Sequence, residues 1–117
     1  MADSIVRSKS YDFAIRIVFL ARHLVDKREF VISKQILRSG TSIGANVEEA
    51  NQAQSTKDFV HRLSISLREA TETNYWLRLL RDTKTLEEKV ANSMIGDCEE
   101  IERILTASIR TTKRRMS

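Results

Sequence analysis

Apolar and small residues recur along the middle of the chain at helical spacing. Ile36, Gly40, Ile43, Val47 and Ala50 are separated by four, three, four and three positions. That heptad seam predicts a helix over 33–54, with Ser33 as its N-cap. Ser55 precedes Asp58 by three residues and opens the next helix, over 56–82, whose seam is Phe59, Leu63, Leu67, Ala70 and Leu77. A second apolar patch on the same helix, Ile65, Trp76 and Leu79, points to a second packing partner. The segment TLEE, with Thr85 and Glu88 as a capping box, starts a helix over 86–112 carrying Leu86, Val90, Met94, Ile101, Ile104, Leu105 and Ser108 on one face. Upstream, Ser10 is the expected cap of a helix over 10–27. The apolar residues of that helix, from Tyr11 to Val25, cover well over half its circumference. One core needs a narrower stripe, so this helix is either central or shared with a partner chain.

Four helices with short connections define an all-α fold, an antiparallel up-down-up-down four-helix bundle forming one domain over 1–117. The first nine residues and the last five or so are expected to be loose. Composition supports helices: the chain has no proline and three glycines, and 31% of it is charged. The glycines change the picture most. The stretch RSGTSIGANVEEA, residues 38–50, holds Gly40 and Gly44 inside the seam. Two glycines within a helix cost about 2 kcal/mol of propensity. Close approach of a neighbouring helix is the expected offset, by analogy with small-xxx-small packing. A phosphate loop is excluded, because Ala45 stands where that motif needs lysine.

Charge sits at one end. Lys and Arg balance Asp and Glu across residues 1–109, and the net +4 comes from Arg110, Lys113, Arg114 and Arg115. These four are the candidate nucleic-acid contacts; the alternative is a solvated helix end whose cations favour the negative pole of the helix dipole. Arg38, Ser42 and Glu49 fall on one side of their helix, and Glu69 and Glu72 lie beside the Ile65–Trp76 patch. A polar network among them is expected to set packing geometry rather than to do chemistry. The first apolar run is too short and too charged to span a bilayer, and no signal peptide is visible, so a cytoplasmic location is expected. The single cysteine, Cys98, cannot form an internal disulfide and is expected to pack as a small apolar residue.

The FAIRIVFLARHL pattern, RSGTSIGANVEEA and DFVHRLSISLREATETNYWLRLL together resemble a bacterial family. Its members are small four-helix proteins encoded by intervening sequences within 23S rRNA genes. The resemblance covers residues 9–109, and its positions here are Arg38, Ser42, Asn46, Glu49, Glu69, Glu72, Tyr75 and Trp76. It implies a ring-like homo-oligomer, a homopentamer. It also implies kinship with basic, pentameric accessory proteins of diversity-generating retroelements, which associate with a reverse transcriptase and nucleic acid. The neutral body of this chain departs from those basic relatives. The resemblance assigns no chemistry to the shared positions.

Three functions follow for testing. The first is a non-enzymatic homo-oligomer associated with rRNA or other RNA or DNA through the basic tail. The second is a protein-interaction scaffold with no nucleic-acid affinity of its own. The third, an enzyme, finds no support. A di-iron bundle needs two Glu-x-x-His motifs, and His61 is preceded only by Asp58 while His23 is preceded by Leu20. Ser39, Thr41 and Ser42 have no base at hand. No cofactor and no metal are expected.

Overall fold

The computed structural model describes residues 4–116, the Ser4 side chain excepted. They form four helices: α1 (Ser4–Asp26), α2 (Phe30–Asn51), α3 (Thr56–Asp82) and α4 (Glu88–Met116). Each helix packs along the next in chain order, and α1 meets α4 through a thinner contact that closes the bundle. The long axis measures 48 Å and the two others 20 and 19 Å.

The seam of α2 is the centre of the core. Ile36, Gly40, Ile43, Val47 and Ala50 are all buried, as their spacing predicts. Phe59, Leu63, Ala70 and Leu77 of α3 and Met94, Ile101 and Leu105 of α4 complete it. The apolar surplus of α1 has a plain geometric meaning. Phe13, Ile17, Leu20 and Leu24 face inward, whereas Tyr11, Ile15, Phe19 and Val25 are exposed. The helix is therefore a side of the bundle, not its centre.

Helix starts differ from expectation where a serine was read as a cap. Helix α1 begins six residues before Ser10, which lies within it, buried, its hydroxyl donating to the Arg7 carbonyl at 3.2 Å. Helix α2 begins at Phe30 after Glu29, which makes no side-chain cap bond. Ser33 lies a turn inside, and its hydroxyl donates to the Ala21 carbonyl of α1 at 3.0 Å. A serine before an apolar run has one local reading, the cap; a buried acceptor on another helix outbids it. Thr85 fails as a cap for the opposite reason: α4 begins only at Glu88, and the Thr85 hydroxyl lies 2.9 Å from that of Thr83. The cap at Ser55 forms as expected: its hydroxyl accepts from the Asp58 amide at 3.0 Å, and the Asp58 carboxylate accepts from the Gln54 amide at 3.4 Å. Helix α2 stops at Asn51 rather than at residue 54, and α4 runs on to Met116. The ends expected to be loose are thus helical from Ser4 and to Met116, and residues 1–3 and 117 lie outside the described residues. The turns after α1 and α3 place Arg28 (φ 64°) and Lys84 (φ 59°) in the left-handed region usually given to glycine.

The glycines of α2 are spent on contact. A Cβ at Gly40 would lie 2.7–2.9 Å from three side-chain carbons of Ile17, and one at Gly44 would lie 3.3 Å from the Ser10 carbonyl oxygen. Ile17 is fully buried and β-branched, so it has little room to yield. Gly96 faces open space. Opposite outcomes are therefore expected in urea unfolding. Gly40→Ala should lose about 1–2 kcal/mol net, overpacking outweighing helix propensity. Gly96→Ala should gain up to about 1 kcal/mol. A Gly40→Ala protein as stable as the wild type would refute the close contact.

Candidate functional site

The polar residues singled out on α2 and α3 divide into two groups. Arg38 bridges the two helices: one terminal nitrogen of its guanidinium lies 3.1 Å from Glu69 Oε1 and the other donates to Glu72 Oε2. The same Glu72 oxygen accepts from the Trp76 indole N–H at 3.0 Å. Arg38 thus forks across two carboxylates instead of gripping one. The backbone behind it is tied down as well. Ser42 donates to the Arg38 carbonyl at 2.6 Å and Asn46 to the Ser42 carbonyl at 2.9 Å. Tyr75 meets Trp76 edge-on with ring centroids 5.1 Å apart and is half exposed. Glu49 stands apart from this set. It pairs with Arg62 at 3.0 Å, and Arg62 also approaches Asp58 at 3.9 Å. Sequence spacing put Glu49 with Arg38 on one side of α2; three further turns of helix carry it away from Glu69 and Glu72 to the level of an α3 cation. Arg62 was missed, although its place four residues after Asp58 was a signal.

Beneath these surface pairs, each helix is joined to the next by a small buried donor. Ser33 reaches α1, Ser66 donates to the Ile43 carbonyl of α2 at 2.8 Å, and the Cys98 thiol donates to the Ala70 carbonyl of α3 at 3.2 Å. Thr73 Oγ1 lies 2.8 Å from the Ser39 hydroxyl. Burial, with Glu102, Glu99 and Asp97 nearby, pushes the Cys98 thiol far above its ordinary pKa, so it is neutral and a poor nucleophile. Glu102 is itself held above the ordinary carboxylate range, chiefly by burial and then by Glu99.

The basic end of α4 is not one surface. Arg110 and Arg114 are exposed and continue the outward row of Arg103, whereas Arg115 turns toward the α2–α3 connection and lines a hollow with Ala50, Ser55 and Phe59. Among the described residues no three His, Cys, Asp or Glu side chains are grouped so as to hold a metal. His23 and His61 are both exposed. No described helix is long and apolar enough to cross a membrane.

These features define an all-α, four-helix protein whose polar residues join helix to helix. The chain belongs to the 23S rRNA-intervening sequence protein family, whose sequence profile matches residues 2–107. It is also similar to a protein of unknown function from the S23 ribosomal protein family of Bacteroides thetaiotaomicron VPI-5482, known from its crystal structure. The two chains are 50% identical and superpose with a TM-score of 0.90, over 94% of this chain and 99% of that one. No curated protein matches the chain.

The Glu72 carboxyl is held below its ordinary value of 4.5, first by the Trp76 N–H and then by Arg38. A carboxyl depressed in the folded state adds stability above its ordinary pKa, and that stability fades as pH falls through the folded value. Glu72→Gln is therefore expected to cost stability at pH 7. The cost should be modest, up to about 1 kcal/mol, because the pairs are half exposed. Urea unfolding at a series of pH values should show the difference from wild type shrinking below pH 4.5. A difference that does not vary with pH would mean that ionised Glu72 is not the stabilising form.

Proposed function

We propose that this protein is a non-enzymatic, self-assembling four-helix bundle that associates with nucleic acid through the basic end of α4. The reading is carried by the outer face of α1. Tyr11, Ile15 and Phe19 stand four residues apart on the side opposite the core and are 66%, 43% and 61% exposed. Phe30, Val31 and Leu37 of α2 are exposed as well. Side chains of this size leave apolar area on the order of a few hundred Å² in water, the range at which a patch on a lone domain signals a contact surface. The Arg22 guanidinium lies 5.7 Å from the Phe19 ring centre and covers only its edge of the patch.

Self-assembly is supported as well by the surface into which this ridge continues. Where α1 and α4 diverge, a groove of about 560 Å³ opens over Leu20, Leu86, Val90 and Met94, with Phe19 on its wall. Groove and ridge share Phe19, so together they form one continuous apolar surface on which the aromatic side chains of a neighbouring protomer can seat. The homopentamer implied by the resemblance is the ring we propose, in the bacterial cytoplasm. Unpaired cations at Arg110 and Arg114 supply the phosphate contacts of the assembled particle.

Mass in solution tests the assembly. The wild type is expected to sediment as several protomers, and Ile15→Lys with Phe19→Glu as a monomer of unchanged helicity. A monomeric wild type at tens of micromolar, the range in which weak assemblies of this size are filled, would overturn the self-assembly. Binding to structured RNA across a salt series tests the second part. Replacing Arg110, Lys113, Arg114 and Arg115 by Gln should abolish salt-sensitive binding. An intact oligomer without affinity at low salt would instead favour the protein scaffold.

A further inference from the structure

Three basic side chains of α3 stand level with three of α4. Two contacts set the antiparallel register of these helices: Cys98 Sγ with the Ala70 carbonyl, and Arg81 with the Asn92 side chain at 3.1 Å. Glu102 meets Thr71 and Asn74 one turn past Cys98. In that register Arg68 stands level with Arg103, His61 with Arg110 and Lys57 with Arg114. The spacings are four and seven residues on each helix, read in opposite directions. All six side chains are exposed, and none takes part in an ion pair among the described residues. Arg7, Lys9, Arg16, Arg38, Arg62 and Arg81 are each paired with a carboxylate, and the remaining exposed cations, such as Lys34, Lys84 and Lys89, stand singly rather than in facing rows. The unpaired row on each helix spans eleven residues, about 16 Å of rise.

We infer that this face of α3 and α4 holds the sugar-phosphate backbone of duplex RNA. The inference rests on the nucleic-acid reading above and extends it from the tail to Lys57, His61, Arg68 and Arg103. Two basic rows lie side by side on adjacent helices, and backbone recognition needs positive charge at intervals along a line, without base-reading groups. Tyr75, half exposed, stands two turns past Arg68, beyond the end of the rows, but the surface between the rows exposes no aromatic side chain, so it offers single-stranded bases no continuous stacking platform. Nor does it carry the apolar side chains that a membrane-surface helix would insert. It carries hydroxyls instead. Ser64 donates to the Val60 carbonyl at 2.8 Å, which leaves its oxygen free to accept, and Thr106 lies a turn from Arg103. A ribose 2′-hydroxyl can donate to such an oxygen, which is how protein tells RNA from DNA at a shallow groove. Glu99 and Glu102 line a hollow of α4 together with Arg103, Thr106 and Arg110, and their charge limits the length of backbone held.

The test uses the full chain, a short RNA duplex and the DNA duplex of the same sequence, titrated over a potassium chloride series. Arg68→Gln with Arg103→Gln leaves the tail intact. It should weaken RNA binding about tenfold at low salt and lower the slope of log K against log salt by about 2, one ion released per cation removed. Lys84→Gln with Lys89→Gln removes the same charge from the far end and should leave binding unchanged. Wild-type binding by the first variant would overturn the face while the tail reading stands. Equal losses in both variants would reduce the effect to net charge and overturn the face too. No binding by the wild type itself would defeat both readings. Equal affinity for the DNA duplex would overturn the assignment to RNA.

Discussion

The arrangement of the molecule depends on how closely α1 and α2 meet at Gly40 and Gly44. Ile17 occupies the space where a Cβ of Gly40 would stand, and the Ser10 backbone lies against Gly44. Helices that approach so closely cannot slide by a turn, because any larger residue brought into that position would clash. The contact sets the height of α1 against α2, and Ser33 seals it by donating to Ala21. Ser66 then sets α3 against α2, and Cys98 sets α4 against α3. Apolar burial drives the helices together without direction, whereas a buried donor has one acceptor within reach. A heptad seam alone would pack nearly as well one turn out of step.

From that register follows the division of the surface. The exposed apolar side chains concentrate on α1 and the start of α2, and a row of exposed basic side chains runs along each of α3 and α4. Between the two, Arg38 with Glu69 and Glu72 closes the α2–α3 seam on the outside, and its partners are each other. A network whose donors and acceptors are matched internally offers little to a ligand, which is why these positions read as architecture. A self-assembly through the α1 face would leave the α3–α4 face of each protomer for a second partner. Repetition around a ring would multiply weak phosphate contacts into useful affinity.

Much of this was legible in the chain. The seam through RSGTSIGANVEEA marked a helix and not a loop, and the glycines marked a close contact. Ser55 with Asp58 marked a cap, and the apolar excess of the first helix marked a surface that its own core could not cover. Other readings failed for a common reason. Ser10 and Ser33 looked like caps because a cap is the local use of serine, but their positions were decided by neighbouring helices. Glu49 was grouped with Arg38 by helix angle, yet its partner Arg62 belongs to another level of α3. Lys57, Arg68 and Arg103 drew no notice in a body of balanced charge, and His61 was weighed only as a metal ligand, since composition counts charges without saying which ones stand level on adjacent helices.

The sequence by itself determined four helices, their inward faces and where two of them must touch closely. Those properties rest on periodicity and residue size, which are written locally. Only the tertiary structure decided which serines cap and which reach across, which cations are neutralised, and which stand level on adjacent helices. Those depend on the register between helices far apart in the chain, and register is set by a few buried donors and two glycines acting together, a relation that no single segment contains.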